Sequence, residues 1–198
     1  MLKNDYEESI LAVGGVIEKY SQTKMFPCWG FGAKFGGIVR HIFQCGPDAN
    51  SIGTEGILNS YRSVFETDLI MSGPTELQSV IKAAAARAKK SHRSASQSYT
   101  VLLCLTDGIV DDLEEIQRLV RSYQELKLPL SLVVVGIGRA DFSAFHQWND
   151  NPAQSRGNFK FLEYRHHQFE PHELSRRAIA QLPLDIVDNF VGRNIIPR

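Results

Sequence analysis

The chain has no net charge: 22 Lys plus Arg stand against 22 Asp plus Glu in 198 residues. Association driven by bulk charge with nucleic acid or anionic lipid is thereby excluded, and such a partner would need a local patch. Cysteine is scarce. Cys28, Cys45 and Cys104 are odd in number, far apart in the chain and free of any Cys-x-x-Cys spacing, so neither a disulfide framework nor a zinc knuckle is indicated and a reducing cytosol fits best. No apolar run reaches the roughly 18–20 residues of a membrane-spanning helix; the best, Leu128 to Ile137, is strand length. The opening Met1 to Glu7 is acidic early and lacks an apolar leader core. Missing too are Gly-x-Ser-x-Gly, a Gly-Lys-Ser/Thr phosphate loop, His-Glu-x-x-His and an acidic EF-hand loop, which removes the commonest hydrolase, nucleotide and calcium-loop readings.

What is present is an alternation of helical and strand periodicities, with 43% hydrophobic residues and a length that suits one domain over residues 1–198. Tyr6, Ile10, Val13 and Ile17 predict a helix from Asn4 to Tyr20, and Met25 to Ala33 and Val39 to Gln44 read as strands. Helices follow from Thr54 to Phe65 and from Thr75 to about His92. Tyr99 to Asp107 and Leu128 to Gly138 are continuous apolar runs, the mark of strands covered on both faces, and the first should be central or nearly so. Between them Asp112 to Leu126 is amphipathic, with Asp112 and Glu115 in capping-box register. A short helix from Phe142 to Trp148, a polar loop from Asn149 to Asn158, a strand from Phe159 to His166 and a helix from His172, interrupted by Pro183, complete the order. Strands alternating with helices predict an α/β fold with a mostly parallel sheet between helices.

Ligands in such folds bind beyond the carboxyl ends of strands. Thr106-Asp107-Gly108 stands at such an end, where Asp107 could hold a cation, act as a base or cap the next helix. Thr75 with Gln78 fits a capping box, although its hydroxyl is also a hard oxygen suited to Mg²⁺. Gly30, Gly32 and Gly36 imitate a dinucleotide fingerprint, but a strand rather than a helix follows. His166 and His167 are adjacent on an expected strand and so face opposite sides, Cys104 reads as a packed apolar residue, and the basic run Arg87 to Arg93 as a solvated helix end.

An ordered set of segments resembles the copine domain, a variant of the von Willebrand factor A fold. It comprises Asn4-Asp5-Tyr6 through Gly14-Gly15, Met25 through Ala33, Gly56 through Arg62, Gly73-Pro74-Thr75 and Ser94 through Tyr99. Leu105-Thr106-Asp107-Gly108, Leu128 through Ser131, Val135 through Gly138 and Ala140-Asp141-Phe142 complete the set. The resemblance covers nearly the whole chain. It implies a non-enzymatic protein-interaction module, cytoplasmic, with membrane contact only through calcium- and phospholipid-binding C2 domains of a longer product at the plasma membrane. The 198 residues hold no room for those domains. A plant group of ubiquitin ligases joins this domain to a RING, yet no cysteine follows Cys104 to build one, so no ligase activity is expected within the chain.

The resemblance also implies a metal-ion-dependent adhesion site, to which Thr75 and Asp107 correspond. Its first element, Asp-x-Ser-x-Ser on a first strand, should precede Asn4 and is absent, so a weak Mg²⁺ site of two protein oxygens is the most to be expected. Asp111 and Asp112 are near enough to be considered as extra ligands. Ser94, Ser96 and Ser98 have the motif's spacing but enter the strand that Asp107 leaves, roughly 30 Å away. By the same topology the sheet lacks its central strand, and the chain is expected to be a truncated copy, an alternative product or a partial gene model.

Overall fold

The computed structural model describes residues 2–93, 97–151 and 158–195. Helix α1 (Asp5–Ser9) starts at a complete capping box: Asn4 Oδ1 accepts the Glu7 N–H at 2.9 Å, and Glu7 Oε2 accepts the Asn4 N–H at 3.1 Å. It continues through one π-wound turn, Ile10–Gly14, into α2 (Gly15–Glu18), so the helix expected from Asn4 to Tyr20 forms with a widened middle. Short strands follow: β1 (Met25–Phe26), β2 (Trp29–Gly30), β3 (Ala33–Phe35), β4 (Ile38–Arg40), β5 (Phe43–Gln44) and β6 (Ser51–Ile52). Gly36 and Gly37 turn β3 into β4 with φ of 53° and 81°, the two positive values a tight hairpin turn requires. Helix α3 (Gly53–Val64) packs on the first helices through charges at both ends. Arg62 Nε meets Glu7 Oε1 at 2.6 Å, and Glu18 Oε2 accepts the Thr54 N–H at 2.9 Å and its hydroxyl at 2.6 Å.

The second half carries the main sheet. After β7 (Ile70–Met71), which pairs with β3, come α4 (Gln78–Arg93), β8 (Thr100–Thr106), α5 (Leu113–Glu125), β9 (Leu130–Gly136), α6 (Ser143–Asp150) and β10 (Phe159–Glu163). A 3₁₀ turn (Tyr164–His166), α7 (Pro171–Ile179) and α8 (Leu182–Gly192) end the order. β8, β9 and β10 form a three-stranded parallel sheet with β9 in the middle. Every residue of β9 is buried, which is why Leu130 to Gly136 reads as an unbroken apolar run.

Opposite faces of the sheet enter two cores. Leu102, Cys104, Leu132, Val134 and Phe161 pack with Val80, Ala84 and Ala88 of α4, Ile116 and Val120 of α5, and Trp148 of α6. Val133, Val135 and Leu162 pack with Val13 and with Leu174 and Ala178 of α7. Trp148 stacks on Phe159, which locks α6 over β10. At the amino end of β9 the buried Asp185 accepts Ser131 Oγ at 2.9 Å and the Asn158 N–H at 3.1 Å, tying α8 to the sheet.

The α/β class with a parallel sheet between helices stands, with local corrections. β8 lies at an edge of its sheet rather than centrally, because among the described residues no strand pairs with its second side. α4 begins at Gln78, so Thr75 is not its cap; the amides of Leu77 and Gln78 go to the two carboxylate oxygens of Asp112, at 3.1 and 2.8 Å. Asp112 therefore caps α4 and makes no side-chain cap bond to its own helix α5. The last strand stops at Glu163, and the tight turn after it leaves His166 exposed and His167 buried. Ser94, Ser96 and most of the Asn149 to Asn158 loop lie outside the described residues.

Replacing Asp112 by Ala strands two helix amides. The expected cost is about 1–2 kcal/mol, or a melting temperature lower by about 2–8 °C for a chain of this size. Asn at the same position should restore most of it. Glu114→Ala, on a side chain 91% exposed, should leave the melting curve unmoved.

Candidate functional site

The open side of β8 is the most distinctive surface of the molecule. Thr100 N–H donates to Pro129 O and Thr106 O accepts from Ile137 N–H, so these residues point their backbone groups toward β9. Alternation along a strand then turns the N–H and C=O groups of Val101, Leu103 and Leu105 the other way. They open into a groove of about 580 Å³ that follows the whole of β8 from Thr100 to Asp107.

Helices α1 to α4 and the β2–β5 pair wall the groove, with Ile57, Tyr61 and Val64 of α3 among the lining residues. Tyr6, Ile10, Gly14 and Ile17 line it at helical spacing from α1 through the π-wound turn to α2. Val80 and Ala84 of α4 close the second side. Trp29, Gly30 and Phe43 of the β2–β5 pair stand opposite β8. The lining is thus mostly apolar on both faces of the open edge, Arg87 of α4 excepted, with backbone polarity between, which is the environment an added strand would occupy.

Polar groups gather at the carboxyl end of β8. Asp107 is exposed there, and the Tyr6 hydroxyl stands close to it. Burial first and the nearby Asp107 charge second raise the Tyr6 pKa, so the phenol stays a donor at neutral pH. Thr75 lines the same end. Its loop is pinned to the loop after β8 by two bonds, Thr75 N–H to Asp111 Oδ2 at 2.7 Å and Asp111 N–H to Thr75 O at 3.0 Å. The fold therefore brings Thr75 and Asp107 to one place, while Asp111 and Asp112 are engaged with backbone amides of the Thr75 loop and α4. Among the described residues no group of three or more His, Cys, Asp or Glu is placed to hold a metal ion. Thr75 and Asp107 make up an incomplete donor set for an ion that prefers octahedral oxygen coordination.

Another juxtaposition escaped the sequence reading. Phe35 faces Ile38, Ala33 faces Arg40, Gly30 faces Phe43 and Trp29 faces Gln44, all in one register centred on Gly36-Gly37. The next position outward sets Cys28 opposite Cys45, whose N–H donates to Cys28 O at 2.9 Å. Cysteines that stand far apart in the chain are thus neighbours in space, and both line the groove. The signal was present in the paired glycines, from which both cysteines are equally distant.

Comparison with known proteins gives one consistent answer. The copine family model matches residues 1–198. Copine-E of Dictyostelium discoideum is 34% identical over 206 aligned positions, covering 98% of this chain and 35% of that protein. Protein BONZAI 2 of Arabidopsis thaliana is 32% identical with the same 98% and 35% coverage, and Copine-B of Dictyostelium discoideum is 28% identical, covering 98% and 38%. The chain spans little more than a third of the length of these relatives.

The wall opposite β8 is close-packed at Gly30, where an added Cβ would stand 2.2 Å from the Phe43 ring. Gly30→Ala should therefore destabilise the chain by about 1–3 kcal/mol, as read from urea unfolding. Gly15→Ala, with nothing within 4 Å, should be tolerated.

Proposed function

The chain belongs to the copine family, and on that premise we propose that it is a protein-interaction module whose docking site is the groove along β8. One observation carries this reading. Three outward-facing backbone N–H and C=O pairs, at Val101, Leu103 and Leu105, lie between two apolar walls. A group that is polar along its centre and apolar on both faces is an extended peptide. We infer as occupant an extended apolar segment about seven residues long, to match the seven residues of β8, in the place the expected central strand would take.

The reading is non-catalytic: apolar side chains dominate the lining, and Arg87, Thr75 and Asp107 are among its polar exceptions beside the cysteine pair. It is also cytoplasmic, and no helix among the described residues is long and apolar enough to cross a membrane. We assign calcium-dependent phospholipid attachment to C2 domains of a longer product rather than to these residues, whose balanced charge gives anionic lipid little to attract. A ligase role likewise needs a RING module outside these residues.

A soluble peptide with seven Val, Ile or Leu residues behind a Lys-Lys tag provides the test. Added to the isotopically labelled chain, it should shift the amide resonances of Val101, Leu103 and Leu105 saturably. The same peptide with proline at alternate positions, which removes the donors, should leave them unmoved. Equal responses to both peptides, or none, would overturn the docking reading.

At the carboxyl end of the groove we propose a divalent-cation contact built on Thr75 and Asp107 alone, with water completing the Mg²⁺ shell. Mg²⁺ titration followed by calorimetry is expected to show at most millimolar affinity, lost in Asp107→Ala. Micromolar affinity would mean that further protein ligands reach the ion.

A further inference from the structure

We propose that Cys28 and Cys45 form a reversible cross-strand disulfide, a redox-sensitive latch on the wall of the β8 groove. The inference stands on the hairpin geometry and is independent of what occupies the groove. Trp29 pairs with Gln44 and Gly30 with Phe43, so Cys28 and Cys45 occupy the next rung, joined by the Cys45 N–H to Cys28 O bond. Opposed residues share one face of a ribbon. At a hydrogen-bonded rung their Cα atoms stand about 5.5 Å apart, inside the roughly 4.4–6.8 Å range that a disulfide spans.

The two thiols are near enough to perturb each other: the neighbouring thiol lowers the pKa of Cys28 and, with burial, raises that of Cys45. Exposure separates the roles of an attacking and a resolving cysteine, because Cys28 is half-buried while Cys45 is 6% exposed. Cys104 is set apart: it packs in the core under α4, and burial pushes its thiol up to about 12. A thiolate metal site is the competing use of such a pair, but among the described residues no third His, Cys, Asp or Glu is placed to complete one.

The chemistry needs a two-electron oxidant, and a hydroperoxide is the class that suits a thiolate at a groove mouth. The Cys28 thiolate attacks the peroxide, breaking the O–O bond to give a sulfenic acid and, after protonation, water or an alcohol. The Cys45 sulfur then attacks the sulfenic sulfur, forming the S–S bond and releasing water. Two thiols lose two electrons and two protons, and one peroxide is reduced. A dithiol or glutathione reverses the step by exchange.

The closed bond would fasten the outer end of the hairpin that runs from Cys28 through Gly36-Gly37 to Cys45. Trp29, Gly30 and Phe43, the groove wall opposite β8, lie within that loop. Oxidation should therefore stiffen one side of the groove while leaving β8 untouched.

The test uses the whole chain with hydrogen peroxide in slight excess, followed by alkylation and tryptic mapping. The expected product joins Met25–Lys34 to His41–Arg62, is intramolecular by mass and disappears with dithiothreitol. Cys104→Ser should form it at an unchanged rate. Cys45→Ser should instead accumulate a dimedone-reactive sulfenic acid at Cys28. In the reduced chain, Cys28 should alkylate at least about tenfold faster than Cys104. In urea the selectivity for this pair should vanish, which ties it to the folded hairpin. Oxidation of Cys28 to the sulfinic acid without cross-linking, or bonds that involve Cys104 or a second chain in the native protein, would overturn the proposal.

Discussion

A buried strand must pair its backbone on both edges or find another partner for each N–H and C=O, and the architecture turns on how that requirement is met at β8. β9 meets it with β8 on one side and β10 on the other, and all seven of its residues are buried. β8 meets it on the β9 side. Its other side opens into the groove, where Val101, Leu103 and Leu105 direct their backbone groups between apolar walls. The same three side chains pack against the core that holds Val13, Ile17 and Leu174. β8 is thus anchored through its side chains and one backbone edge, while the other edge remains a recognition surface.

The walls are held at the correct distance by charge placed at helix ends. Glu7 with Arg62 and Glu18 with Thr54 fix α1, α2 and α3 as one unit from both ends. The capping box at Asn4 starts that unit so that Tyr6 reaches Asp107. On the other wall, Asp112 ties the first amides of α4 and Asp111 ties the Thr75 loop. Asp111 and Asp112, which the sequence offers as extra metal ligands, are therefore structural clamps. Their engagement places Thr75 beside Asp107 and, for the same reason, limits the number of free oxygens there. Aperture and electrostatics at the carboxyl end have one common origin.

The hairpin opposite β8 adds a different kind of order. A two-residue turn sets register for every later rung, because one positional sum holds along both strands. Gly36 and Gly37 can adopt the positive φ that this turn needs, and the consequence propagates through Ala33 and Arg40 to Trp29 and Gln44 and then to the cysteine pair. A local backbone requirement thereby decides a chemical neighbourhood remote from the turn.

Periodicity alone determined much of this protein. The α/β order, the parallel ladder of β8 with β9, the amphipathic faces of α4 and α5 and the break before α8 follow from spacing of apolar residues, because burial acts on each segment through its own pattern. Asp107 at the end of β8 was legible for the same reason, since strand ends can be read from where an apolar run stops. Tertiary structure decided what depends on partners distant in sequence. It placed β8 at an edge, gave the cap of α4 to Asp112 rather than to Thr75, and set Cys28 against Cys45. A carboxylate or thiol carries no signal in its own sequence neighbourhood about which remote group it will meet. That choice is made when helices and strands pack, since unpaired backbone amides and side chains then take whichever partner the fold brings within reach.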